Sequence, residues 1–146
     1  MLAIDQTAPV ITVTSPTDNS AGNTAAMTYS LSENIASGTV TWTRIGGAED
    51  PGAPHVQNFV GDELLIEGIS DTLSNNPVLV NGTLYDITFD ATEVPGNTVT
   101  PVTINSFTFD TQPPIFSFLK PDTLDFINDS RAVSYTHLTL PTKRIV

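Results

Sequence analysis

The sequence has no cysteine, five lysines and arginines in all, and no long apolar run. Without cysteine there is no disulfide scaffold, no thiol nucleophile and no Cys-ligated zinc site. No stretch reaches the roughly 18 consecutive apolar residues that a membrane-spanning helix needs, so no membrane insertion is expected. Charged residues make up 14% of the 146 residues, against about 25% in an average globular domain. The imbalance within that small share matters more. Sixteen acids face five bases, a formal charge of −11, which repels nucleic acid and anionic lipid and leaves divalent cations as the natural charged partners. What is plentiful is Thr, Val, Ser and Asn, a usage that favours strands and turns over helices.

The chain repeats itself. An Asp-x-x-x-Pro opening at residue 5 returns at residue 110, each followed by an apolar alternation and a second proline, at Pro16 and Pro121, so the period is 105 residues. Solenoid repeats run about 20 to 50 residues, whereas a unit of about 100 is the size of a self-folding β-sandwich. One complete unit is therefore expected over residues 5–109, and the start of a second, truncated repeat over 110–131. Met1 and its neighbours run straight into a strand pattern, as expected of a piece of a longer polypeptide.

Residues 132–146 are set apart. Residues 133–142, Val-Ser-Tyr-Thr-His-Leu-Thr-Leu-Pro-Thr, read back into codons as a string that resembles the adapter of a transposase-based sequencing library. The tail is accordingly expected to be an artefact. Removing its Lys143 and Arg144 takes the formal charge from −11 to −13, and His137 carries no functional reading.

Within the unit, short period-2 stretches are punctuated by Gly, Pro, Asn and Asp, the pattern of antiparallel strands with one buried face. Strands are predicted at residues 9–15, with Ile11 and Val13 inward; 25–32, with Met27, Tyr29 and Leu31 inward; and 38–45, with Val40 and Trp42 inward. Weaker strands are predicted at 56–60 and 63–69. The clearest is 84–92, with Tyr85, Ile87, Phe89 and Ala91 on one side, followed by a Pro-Gly-Asn turn and a last strand over 99–109. Residues 46–54 read as an exposed loop and 71–76 as a polar turn. The fold class is thus all-β: an immunoglobulin-like antiparallel sandwich of about seven strands, plus the first strand of a second copy. Its predicted centre is Trp42, packed with Tyr29, Tyr85, Phe89, Ile87 and Val40. Tyr85 is placed to form a tyrosine corner.

These residues resemble the bacterial Ig-like repeats of large secreted and surface-anchored proteins. The resemblance rests on the Asp-x-x-x-Pro openings, on Tyr-Ser-Leu-Ser-Glu at 29–33 followed by Gly-Thr-Val-Thr-Trp at 38–42, and on Gly-Thr-Leu-Tyr-Asp-Ile-Thr-Phe-Asp-Ala-Thr at 82–92 leading into Gly96 and Asn97. It implies an extracellular or cell-surface bacterial stalk or adhesin, built as a tandem array whose partners are the neighbouring repeats of the same chain.

In such a topology the start of the first strand and two inter-strand loops share one pole, which gathers Asp5, Glu33 and Glu93, with Asn97 as a carbonyl donor. Calcium takes six to eight oxygen ligands at about 2.3 to 2.6 Å, so a junction calcium is expected there, with Asp110 serving the next junction. The same acids also read as solvated turn carboxylates that keep a lysine-poor surface hydrated. Catalysis finds little support: His55 has no nucleophile in its local motif, and Asp62 with Glu63, or Asp86 with Asp90, read as solvated strand residues. The threonine columns read as good exposed strand residues. The leading reading is a non-enzymatic spacer or adhesive module. The alternatives are a glycan- or protein-binding module, signalled by exposed aromatics near residues 46–60, and an accessory domain of a secreted hydrolase.

Overall fold

The alternation of apolar and polar residues becomes two facing sheets. The computed structural model describes residues 4–65, 71–94 and 96–117. The strands are β1 (Ile11–Ser15), β2 (Ala21–Gly22), β3 (Thr28–Leu31), β4 (Ser37–Gly47), β5 (His55–Asn58), β6 (Asp71–Thr72), β7 (Thr83–Thr92) and β8 (Val102–Phe109), and a 3-10 turn spans Gly61–Leu64. One sheet has the order β1-β3-β6 and the other β2-β8-β7-β4-β5. All pairings are antiparallel except β2 with β8. This is the immunoglobulin-like sandwich expected from the pattern.

Trp42 lies at its middle, fully buried, with the rings of Tyr85 and Phe107 edge-on at 6.0 and 5.9 Å. Tyr29, Val40, Tyr85, Ile87 and Phe89 are buried around it. Edge-to-face packing aligns the positive ring edge with the negative face of its neighbour, which adds to the area removed from water. Strand β7 shows the period most plainly, since Thr83, Tyr85, Ile87, Phe89 and Ala91 are buried and the residues between them are not.

Several expectations are corrected. The strand predicted at 63–69 begins instead as the 3-10 turn, because Gly61 takes φ +58 and Glu63 folds back to accept the Val60 N–H at 2.7 Å; residues 66–70 of that prediction lie outside the described residues. The polar turn predicted at 71–76 contains β6, which pairs with β3, and buries Leu73. The loop at 46–54 is partly strand and not wholly exposed, since β4 runs to Gly47 and Asp50 is buried. Gly47 is required there: its φ is +71 and an added Cβ would lie 2.2 Å from the Gly82 carbonyl oxygen. The last strand starts at Val102 rather than 99, just after Pro101, which has no N–H for the ladder.

The chain divides into two compact units, Met1–Gln112 and Pro113–Val146. Of the second, residues 113–117 are described, and Ile115 and Phe116 there are exposed. The remainder of the expected second copy and the tail at 132–146 lie outside the described residues. No helix of the described residues is long and apolar enough to cross a membrane.

Candidate functional site

Strand β7 fixes the two poles of the first unit. Its ten residues span about 34 Å at the usual rise per residue, with Gly82 just before one end and Glu93 just after the other. At the Glu93 pole three connections converge: the entering chain at Asp5, the β3 to β4 connection at Glu33, and the β7 to β8 turn. Each of Asp5, Glu33 and Glu93 offers a carboxylate oxygen within 4.8 Å of the others. Asp5 is exposed, Glu33 half-buried and Glu93 buried.

The turn that carries Glu93 is built by its own backbone. The Glu93 N–H donates to the Asn97 carbonyl and the Gly96 N–H to the Glu93 carbonyl, both at 3.0 Å, while Gly96 takes φ +102. Asn97, expected to contribute a carbonyl oxygen, enters the cluster as a donor. Its Nδ2 donates to the Asp5 carbonyl at 3.1 Å, to the Thr7 carbonyl at 3.4 Å and to Glu93 Oε1. Asn97 therefore ties the entering chain to the turn and holds the Glu93 carboxylate. Asp5 Oδ1 accepts the Thr7 N–H at 2.9 Å, closing an Asx turn.

The acids crowd one another. A hydrogen bond with the Glu93 side chain, then partial burial and the charges of Glu93 and Asp5, push the Glu33 carboxyl above its ordinary range. Among the described residues the one Lys or Arg is Arg44, which lies toward the far end of β4 and pairs with Glu49 at 2.5 Å. The cluster thus combines three oxygen donors from three separate connections, the donor type that hard divalent cations take.

Asp110 is placed elsewhere. It sits at the Gly82 pole, its N–H donating to the Gly22 carbonyl at 2.9 Å, while Thr111 donates from N and Oγ1 to Asn81 Oδ1 at 2.6 and 2.9 Å. Asp110 Oδ1 accepts the Gln112 N–H at 2.9 Å, which repeats the Asx turn of Asp5 one period later.

One polar network escaped the sequence reading. Asp50 Oδ2 accepts from Tyr85 Oη at 2.5 Å and lies 2.7 Å from His55 Nε2, and Asp50 Oδ1 accepts the Gly52 N–H at 3.0 Å. His55 thus has an acidic partner that its local motif did not suggest. Burial raises the Asp50 carboxyl, but the bonds from Tyr85, His55 and Gly52 outweigh it and hold it below its usual value. The Asp-Pro-Gly run at 50–52 was the available signal, since Asp at such a turn caps the N–H two residues on. Glu63 is a second buried acid, satisfied by Val60 and by both donors of Ser74. Asp86 accepts the Ser106 N–H at 2.9 Å. Near residues 46–60 the exposed large side chains are the aliphatic Val56 and Val60, with Ile45 beside them, and Phe59 is buried.

Neither a search of curated proteins nor one of solved structures finds a match. Residues 5–111, which include the Asx turn at Asp5 and every strand described above, match the bacterial Ig-like domain, and the chain belongs to that family.

Proposed function

We propose that the domain is a non-enzymatic spacer repeat of a long extracellular bacterial protein, arrayed head to tail with copies of itself. The observation that carries this reading is the placement of entry and exit. The chain enters beside Glu93 and leaves beside Gly82, at opposite ends of β7, and each passage is marked by the same Asp-x-x-x-Pro sequence and the same Asx turn. A unit whose ends lie at opposite poles extends an array by its full length with each copy. Proline in the linker narrows the backbone freedom of the joint, since it fixes φ.

Calcium at the Asp5, Glu33 and Glu93 cluster would stiffen the joint further. A divalent cation relieves the repulsion that leaves Glu33 reluctant to ionise, and the buried Glu93 supplies a fixed anchor. Extracellular calcium modules bind at about 10⁻⁴ to 10⁻³ M. At ten times that dissociation constant the domain gains about 1.4 kcal/mol, a rise of roughly 5 °C in melting midpoint.

Melting the chain in calcium and in chelator tests the metal, and an unchanged midpoint removes it. Small-angle scattering from the parent polypeptide tests the array: an extended rod is expected, and a collapsed chain of independent beads would rule out the spacer.

A further inference from the structure

A groove of about 340 Å³ lies on the outer face of the five-stranded sheet, at the end next to Glu93. Strand register builds it. Ser37 of β4 stands opposite Thr92 of β7, and Thr39 opposite Asp90, with the paired Gly38 and Ala91 between them. Side chains alternate along a strand, so the buried Gly38 and Ala91 face the core and leave only backbone on the outer side. The four outward side chains therefore stand at the corners of a rectangle of about 5 by 7 Å. Thr98, bridged to Thr92, adds a side wall.

The floor of the groove is held firmly. Strands β4 and β7 are interior to their sheet, the Ala36 N–H donates to the Thr92 carbonyl at 2.7 Å, and the Val99 N–H donates to the Ala91 carbonyl at 2.9 Å. The side chains above it are not tied down in this way. Elsewhere on the face Thr88 pairs with Thr103 at 3.0 Å, and Asp86 accepts the Ser106 N–H at 2.9 Å. Among the described residues no side-chain hydrogen bond or ion pair reaches the Asp90 carboxylate or the hydroxyls of Ser37, Thr39, Thr92 and Thr98. One carboxylate and four hydroxyls thus share a groove with their bonding capacity turned to solvent.

We propose that this groove binds a neutral oligosaccharide through one of its sugar rings. A carboxylate accepts only, and it can take two adjacent hydroxyls in charge-assisted bonds, which a vicinal diol offers. Ser and Thr hydroxyls both donate and accept, as sugar hydroxyls do, so each finds a partner on the ring. The rectangle matches the span of one pyranose ring with its equatorial hydroxyls, and the volume falls in the range of small-molecule sites. Anionic ligands are turned away by Asp90 and by a chain of formal charge −11. Calcium, which takes six to eight oxygens, is poorly served by one carboxylate among hydroxyls. The site lies away from residues 46–60, where exposed aromatics would have signalled a glycan, and it has no aromatic platform. Affinity in one domain is therefore weak, with a Kd on the order of 1 mM. Copies of the groove along an array would add avidity for a polysaccharide without any new contact.

Binding by a single domain goes beyond the spacer reading and does not rest on it, so the present chain suffices for the test. Nuclear magnetic resonance titration of the isotope-labelled chain with maltotetraose and with cellotetraose should move the amides of residues 37–39, 90–92 and 98 with at least one of the two. The shifts should be the same at low and high salt, because the ligand is uncharged. Asp90→Ala should weaken binding about tenfold, and Asp90→Asn, which keeps an acceptor oxygen, about threefold. Both variants should melt with the parent, since Asp90 holds nothing in the fold. The proposal is overturned if neither sugar moves these amides well above the expected Kd, or if Asp90→Ala binds as the parent does. Equal shifts from glycerol at the same hydroxyl concentration would overturn it too.

Discussion

The Tyr85 hydroxyl joins two parts of the chain 35 residues apart. It donates to the buried Asp50 carboxylate at 2.5 Å and accepts the Val80 N–H at 3.2 Å. One oxygen thereby closes the tyrosine corner at the start of β7 and pins the β4 to β5 loop. Tyr85→Phe should keep the ring packing against Trp42 but leave a buried carboxylate and an N–H short of a partner. A loss of about 1 to 3 kcal/mol is expected, read from urea denaturation, and a value near zero would mean that water replaces the hydroxyl.

Trp42→Ala should cost about 3 to 5 kcal/mol, a large part of the stability of a domain of this size. Trp42→Phe should cost less, because it keeps ring contact with Tyr85 and Phe107 but gives up the Nε1 bond to Gln57 Oε1 at 3.4 Å. Denaturant midpoints of the pair test whether the indole is the centre of the core.

The pH dependence should have two limbs of opposite sign. Asp50 and Glu63 sit below their ordinary values in the folded state: burial raises each, and donated hydrogen bonds outweigh it. Their contribution is therefore present above the unfolded values, about 3.9 and 4.3, and is lost as pH falls through the lowered folded values. Glu33 is raised, so its contribution is present below about 4.3 and lost as pH rises through its folded value. In chelator, stability should peak in mild acid and fall on both sides. A curve that climbs steadily to neutral pH contradicts the crowding at the Glu33 pole.

Glu33→Gln should separate repulsion from metal binding. In chelator at neutral pH the variant should melt above the parent, because one member of the acidic cluster no longer carries charge. In calcium the order should reverse. If the variant melts below the parent in both media, Glu33 serves packing alone.

The sandwich was legible wherever one face of a strand is buried. In β7 and β4 the alternation, with Trp42 and Tyr85 on the inner side, permits one register, since a slip of one residue would turn the rings outward. The acidic pole was legible for a related reason: once the strand order is known, the ends of the connections follow. Strand β2 was not, because Ala21 and Gly22 carry no apolar pattern and are held by backbone bonds to β8. Nor was β6, whose two residues, Asp71 and Thr72, are both polar. The burial of Asp50 depends on Tyr85, far along the chain, and no local pattern encodes that contact. Asn97 was read as an acceptor, whereas its orientation is set by the Asp5 and Thr7 carbonyls, which the fold brings to it.

The scarcity of basic residues reaches beyond charge. Proteases of trypsin type cut only after Lys or Arg, and within the described residues that leaves the bond following Arg44. This bond lies inside β4, which is flanked by β5 and β7 in its sheet, and the guanidinium is held by the carbonyls of Gly47 and Ala48. A protease needs an extended, accessible segment, so cleavage there must wait for the strand to open. Within the described residues, trypsin-type cleavage is thus limited by composition as much as by stability.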